Sequence, residues 1–121
     1  MTKVVLIALG GAIGTVGRYA ISGLAQSFSS IVFPIGTLTV NLIGSFIIGI
    51  LWAMLETSTI HPQIRSLIFI GVLGGFTTFS SYSLETINLL RDGEIKLAFI
   101  NLLLHNVLGI GLTFLGFVLV K

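Results

Sequence analysis

Four apolar stretches, each long enough to cross a bilayer as a helix and separated by short polar joints, leave this chain few folds to choose from. A helix rises about 1.5 Å per residue, so about 20 residues cover a hydrocarbon core of about 30 Å. We place the spans near residues 3–27, 35–56, 65–91 and 95–120. Pro34 and Pro62 fall in the first two joints, where proline interrupts no helix, and Arg91-Asp92-Gly93-Glu94 makes a tight third turn. The composition agrees: 55% of residues are hydrophobic and 8% charged, with a mean hydropathy of +1.12, against about 25% charged in soluble domains. The expectation is an all-α membrane protein with one transmembrane domain over residues 1–121 and the lipid bilayer as its surroundings. The single lysine before the first apolar run mimics a signal peptide, but apolar character continues past Gly14, so this segment reads as a retained first helix.

Cysteine is absent, which excludes disulfides and thiolate metal sites. The net charge of +2 comes from scarcity of acids rather than from a basic patch, so no nucleic-acid partner is implied. With four spans both termini lie on one side. Lys3, Arg65 and Lys121 then share that face, Arg91 and Lys96 share the other, and Arg18, nearer the second end of span one, levels the count. Cytoplasmic loops normally collect Lys and Arg, so a level count gives almost no orientation preference. The expectation is insertion both ways round and an antiparallel homodimer. Four helices close around their own core, so a polar path through the membrane calls for a second copy. Gly10 and Gly14 form a GxxxG pair that permits close helix contact.

Polar groups inside the bilayer need partners or water. Thr37, Asn41 and Ser45 recur at i, i+4 and i+8 and give span two one polar stripe. In span four Asn101 and His105 are four apart, and Asn106 and Thr113 are seven apart on a neighbouring face. Each residue has a plain structural reading beside a functional one. The asparagines and threonines can cement helix contacts, His105 can be a hydrogen-bonded packing residue, and Arg18 can snorkel to the interface. Glu85 is too short to snorkel well and must be paired, protonated or wet.

The stretch Gly71 to Ser83, GVLGGFTTFSSYS, departs most from plain apolar helix. Gly74 and Gly75 each cost about 1 kcal/mol of helix propensity relative to alanine, and Thr77 and Thr78 add β-branched crowding, so a helix break is expected here. A break frees main-chain carbonyls at membrane depth, where protein or water must satisfy them, and such carbonyls suit a cation. Beyond it, Phe79 and Tyr82 at i and i+3 stand about 4.5 Å apart along one face, with Ser80 and Ser83 on an adjacent one. Hydroxyl and amide donors together with electropositive ring edges suit a small anion, and no cation in the ladder would trap it.

At these residues the chain resembles the small fluoride channels of the Fluc (CrcB) family, over essentially its whole length. The resemblance rests on GGAIGTVGRY (Gly10 to Tyr19), GTLTVNLIGSFIIG (Gly36 to Gly49) and GGFTTFSSYS (Gly74 to Ser83), in that order. It implies an antiparallel, dual-topology homodimer in the bacterial plasma membrane, with two pores exporting fluoride and a structural sodium ion at its centre. By similarity, main-chain carbonyls of Gly74 and Thr77 hold the sodium, Asn41 lines the pore as an amide donor, and Phe79 with Tyr82 forms the aromatic ladder. Ser80, Ser83 and Thr78 fit a hydroxyl track, and Arg18 and Glu85 a vestibule or structural role. Tyr82 stands where the family usually has phenylalanine. A small multidrug transporter is the rival transport class, but span one lacks the acid such proteins use. A non-transporting scaffold subunit is a third reading. Nothing in the sequence sets a nucleophile, base and oxyanion donors together as an enzyme needs.

Overall fold

The computed structural model describes the chain from Met1 to Lys121 and contains helices only. Four of its helices are long and apolar enough to cross a membrane: Thr2–Ser27, Ile35–Leu55, Pro62–Arg91 and Ile95–Val120. Pro62 opens the third at the first helical position, where its missing N–H costs nothing, and His61 Nδ1 accepts from Gln63 N at 3.3 Å. Gly93, with φ of +79°, supplies the left-handed residue that reverses the chain between the third and fourth spans.

The third span is two half-helices. The entering half, residues 62–76, stops at Phe76 and the leaving half runs Phe79–Arg91. Between them Thr77 (φ −92°, ψ 158°) and Thr78 (φ −151°, ψ 115°) are extended. Extended backbone falls on the β-branched pair, which favours it, and not on Gly74 and Gly75, which stay helical. The small size of Gly75 serves packing instead: a Cβ there would lie 2.7 Å from the Gly11 carbonyl oxygen and 3.1 Å from Thr15 Oγ1.

Span one packs against the entering half of span three, and span two packs against span four. Both contacts bring backbones together. A side chain at Gly14 would collide with the Val72 carbonyl, and one at Gly49 or Gly116 with the carbonyl of Thr113 or Phe46. The Gly10–Gly14 pair is therefore used inside the chain, against the segment from Leu67 to Phe76. Lys121 reaches Glu56 at 3.2 Å, and Arg65 lies 4.8 Å over the Trp52 ring while donating to the Leu55 carbonyl. These charges gather at one end of the bundle, where long side chains reach the interface. Large apolar residues such as Val16, Val107 and Ile110 face outward, as they do when lipid is the solvent.

Candidate functional site at the interrupted third span

A helix that stops at mid-span leaves donors and acceptors that the surrounding side chains must satisfy. Asn41, on span two, meets this demand directly. Thr78 N–H donates to Asn41 Oδ1 at 2.8 Å, and Asn41 Nδ2 donates to the Thr78 carbonyl at 3.0 Å. One side-chain amide thus pairs with both backbone groups of the extended residue. The same Asn41 nitrogen lies 3.0 Å from His105 Nε2, and His105 Nδ1 lies 3.1 Å from the Asn101 carbonyl oxygen.

The two half-helix ends are capped from different sides. Arg18 Nε, from span one, donates to the Gly75 carbonyl at 3.0 Å, which sets a cation at the carbonyl end of the entering half. Thr78 is the N-cap of the leaving half: its Oγ1 accepts from Ser81 N at 3.2 Å and contacts Ser81 Oγ at 3.1 Å and Ser80 Oγ at 3.4 Å. Two carbonyls lose their usual donors in consequence. Thr78 N–H, which a continuous helix would aim at the Gly74 carbonyl, goes to Asn41, and Ser81 N–H, which would serve Thr77, goes to Thr78 Oγ1.

Beside this knot lies an open cleft of about 350 Å³. Asn41, Gly74, Thr77, Thr78, Phe79 and Tyr82 all line it. So do His105 and Asn106, which the sequence marked as polar members of span four without assigning them to the site. They sit on the π-helical turn Leu104–Leu108, a local widening of the fourth span. The spacing of Asn101 and His105 signals a polar face, but only His105 of that pair reaches the cleft, Asn101 being buried against Thr86.

The rings are asymmetric. Phe79 is 78% exposed and Tyr82 only 5%, with centroids 5.4 Å apart in an edge-on arrangement. The other side of Tyr82 packs against the His105 ring, 4.0 Å away, and its hydroxyl accepts from Asn106 Nδ2 at 3.2 Å. Ser80, Ser83, Arg18 and Glu85 do not line the cleft. Glu85 lies further along the leaving half, where its Oε1 accepts from Thr37 Oγ1 at 2.6 Å and its buried Oε2 has no partner within the chain. Two side chains of the span-two polar stripe are therefore engaged, Thr37 by Glu85 and Asn41 by Thr78 and His105, while Ser45 lines the cleft and only its main-chain carbonyl is taken, by Thr113 Oγ1.

Fold and site together define a small multi-pass membrane protein with a polar cleft built around a mid-span interruption. The chain belongs to the CrcB family: the family described as "CrcB-like protein, Camphor Resistance (CrcB)" matches residues 5–117. Curated relatives include the "Fluoride-specific ion channel FluC" of Parabacteroides distasonis, 46% identical over 121 residues, which covers 100% of this chain and 94% of that protein. The protein of the same name from Aquifex aeolicus is 48% identical over 120 residues, covering 98% of this chain and 97% of its own. That of Shewanella frigidimarina is 49% identical over 117 residues, covering 96% and 94%. Membership in this family makes the chain a multi-pass protein of the bacterial cell membrane, in a family of ion channels and not of enzymes.

Proposed function

We propose that this chain is a fluoride-selective, passive anion channel. The observation that carries the reading is near-full-length identity of 46–49% to proteins named as fluoride-specific channels. The cleft supports it chemically. Amide and hydroxyl donors and ring edges converge there, and no cation lines it. A small anion exchanges its water for such donors and is released again because no full positive charge holds it. Asn41 has no idle N–H to offer, since Thr78 and His105 engage both. An arriving anion therefore takes over one of these bonds.

The functional unit in this reading is an antiparallel homodimer with two pores, each lined by both subunits. The near-even distribution of Lys and Arg supports two-way insertion. Exposure of Phe79 at the lip of the cleft supports a pathway completed by a second copy. A structural sodium ion also fits the residues present. The Gly74 and Thr77 carbonyls have lost their helical donors to Asn41 and Thr78 Oγ1, and carbonyl oxygens without N–H partners are what a hard cation takes. Bound there, sodium would supply a fixed charge that offsets these carbonyl dipoles. Ser80 and Ser83 extend the donor track only where the leaving half continues beyond the cleft, with Arg18 and Glu85 as structural groups at its margins.

Export needs no coupling ion. Hydrogen fluoride crosses membranes uncharged and dissociates in a less acidic cytoplasm, which traps the anion. A potential of 100 mV, negative inside, contributes about 2.3 kcal/mol per charge and sustains a gradient of about 50-fold. The test is rescue of a bacterium stripped of its own fluoride export. Expression of this chain is expected to restore growth on fluoride and lower cell fluoride at equal protein level. A well-expressed, membrane-inserted protein that changes neither would contradict the reading.

A further inference from the structure

The hydrogen-bond network around Asn41 fixes the protonation of a residue that neither the family pattern nor the relatives' names assign. Thr78 N–H can only donate and the Thr78 carbonyl can only accept, so their 2.8 and 3.0 Å contacts fix which end of the Asn41 amide is oxygen and which is nitrogen. The second hydrogen of that nitrogen points at His105 Nε2, 3.0 Å away, so Nε2 must be an acceptor. At the other side of the ring the Asn101 carbonyl can only accept, so Nδ1, 3.1 Å away, must carry the hydrogen. The two ends of the imidazole agree on one state, a neutral ring with the proton on Nδ1. Its placement is also held mechanically. The ring lies against Tyr82 at 4.0 Å, and the Tyr82 hydroxyl is tied to Asn106 on the same π turn.

We propose that His105 is a positioning residue for the pathway: its Nε2 lone pair holds the Asn41 amide in the orientation that clamps both backbone groups of Thr78. This rests on the channel reading given above. The clamp matters because it diverts Thr78 N–H from the Gly74 carbonyl and so keeps the third span interrupted at the cleft. Without an acceptor at Nε2 the second Asn41 N–H is left unpaired in a half-buried site. The amide is then free to turn toward another partner, and Thr78 loses its pair.

Two measurements on the full-length protein in lipid bilayers test this. The first is nitrogen-15 NMR of histidine-labelled protein near neutral pH, with a His61→Asn variant used to assign the two histidines. The expected spectrum gives His105 a protonated Nδ1 and an unprotonated Nε2. A proton on Nε2, as the other neutral tautomer or as imidazolium, would overturn the proposal. The second is fluoride efflux from liposomes carrying His105→Gln or His105→Phe. Glutamine restores an acceptor at a similar reach and is expected to keep efflux within about threefold of the parent, whereas phenylalanine keeps a ring against Tyr82 but no acceptor and is expected to lower it by about tenfold or more. Equal efflux from the two variants would overturn the proposal. If His105→Phe does not fold, the NMR spectrum of the parent decides. Parent protein that releases no fluoride would instead sink the channel reading, while the tautomer still reports on the clamp.

Discussion

At the scale of single residues, the site is organised by side chains that replace missing backbone partners. Asn41 is the clearest case, because it gives the extended Thr78 the two hydrogen bonds that a continuous helix would have supplied. Asn41→Ala removes both and leaves half-buried backbone groups unpaired, at a cost of about 1–3 kcal/mol. We expect fluoride efflux to fall by about tenfold or more, together with a lower thermal midpoint in detergent. Tyr82 behaves differently. Its hydroxyl is occupied by Asn106 while its ring makes the contacts with Phe79 and His105. Tyr82→Phe keeps the ring and loses one hydrogen bond, so we expect efflux within about twofold of the parent and a stability loss of about 1 kcal/mol. A collapse of efflux in this variant would show that the hydroxyl itself handles the ion. The residue types at Asn41, Thr78 and Tyr82 are readable from sequence because polar groups inside an apolar span demand a reason. Their partners are not, since pairing Asn41 with His105 joins positions 64 residues apart.

At the scale of the element, the third span shows what local rules miss. Glycine lowers helix propensity and β-branched threonine crowds a helix, so Gly74, Gly75, Thr77 and Thr78 together mark the expected weak point. In the structure these glycines stay helical, because Gly75 lets span one approach closely and Arg18 takes its carbonyl. The extended residues are the two threonines that follow, whose backbone groups and side chains find partners at Asn41, Leu73 and Ser81. Propensity marks the weak stretch, and tertiary contacts at both half-helix ends fix which of its residues are extended. The same logic governs the glycines of span one. Gly14 faces the Val72 carbonyl with no room for a side chain, while a Cβ at Gly11 meets nothing within 4 Å. Gly14→Val is expected to destabilise the protein by about 1–3 kcal/mol or prevent its recovery from membranes, and Gly11→Ala to be neutral or slightly stabilising. Melting curves of the two variants in one detergent separate them. The π turns at Leu67–Val72 and Leu104–Leu108 leave no mark in composition or spacing.

At the scale of the whole molecule, the spans were the most legible feature, because about 20 apolar residues and a proline-marked or glycine-marked joint are strong signals by themselves. Charge distribution carries a further consequence. Lys3, Arg65 and Lys121 on one side against Arg91 and Lys96 on the other give almost no orientation preference, and Arg18, held on the Gly75 carbonyl at the mid-span break, adds to neither end. A tag at the C-terminus is therefore expected to be accessible from both sides of the membrane in comparable amounts, and adding two lysines beside Lys3 is expected to bias it to one side and reduce function. Labelling confined to one side in the parent would contradict an antiparallel dimer. Purified protein in liposomes loaded with fluoride and chloride, opened to charge movement by a potassium ionophore, should release fluoride rapidly while retaining chloride, and should release neither when the ionophore is withheld. Reconstituted dimeric protein that released chloride as readily as fluoride, or no fluoride at all, would contradict a fluoride-selective passive channel.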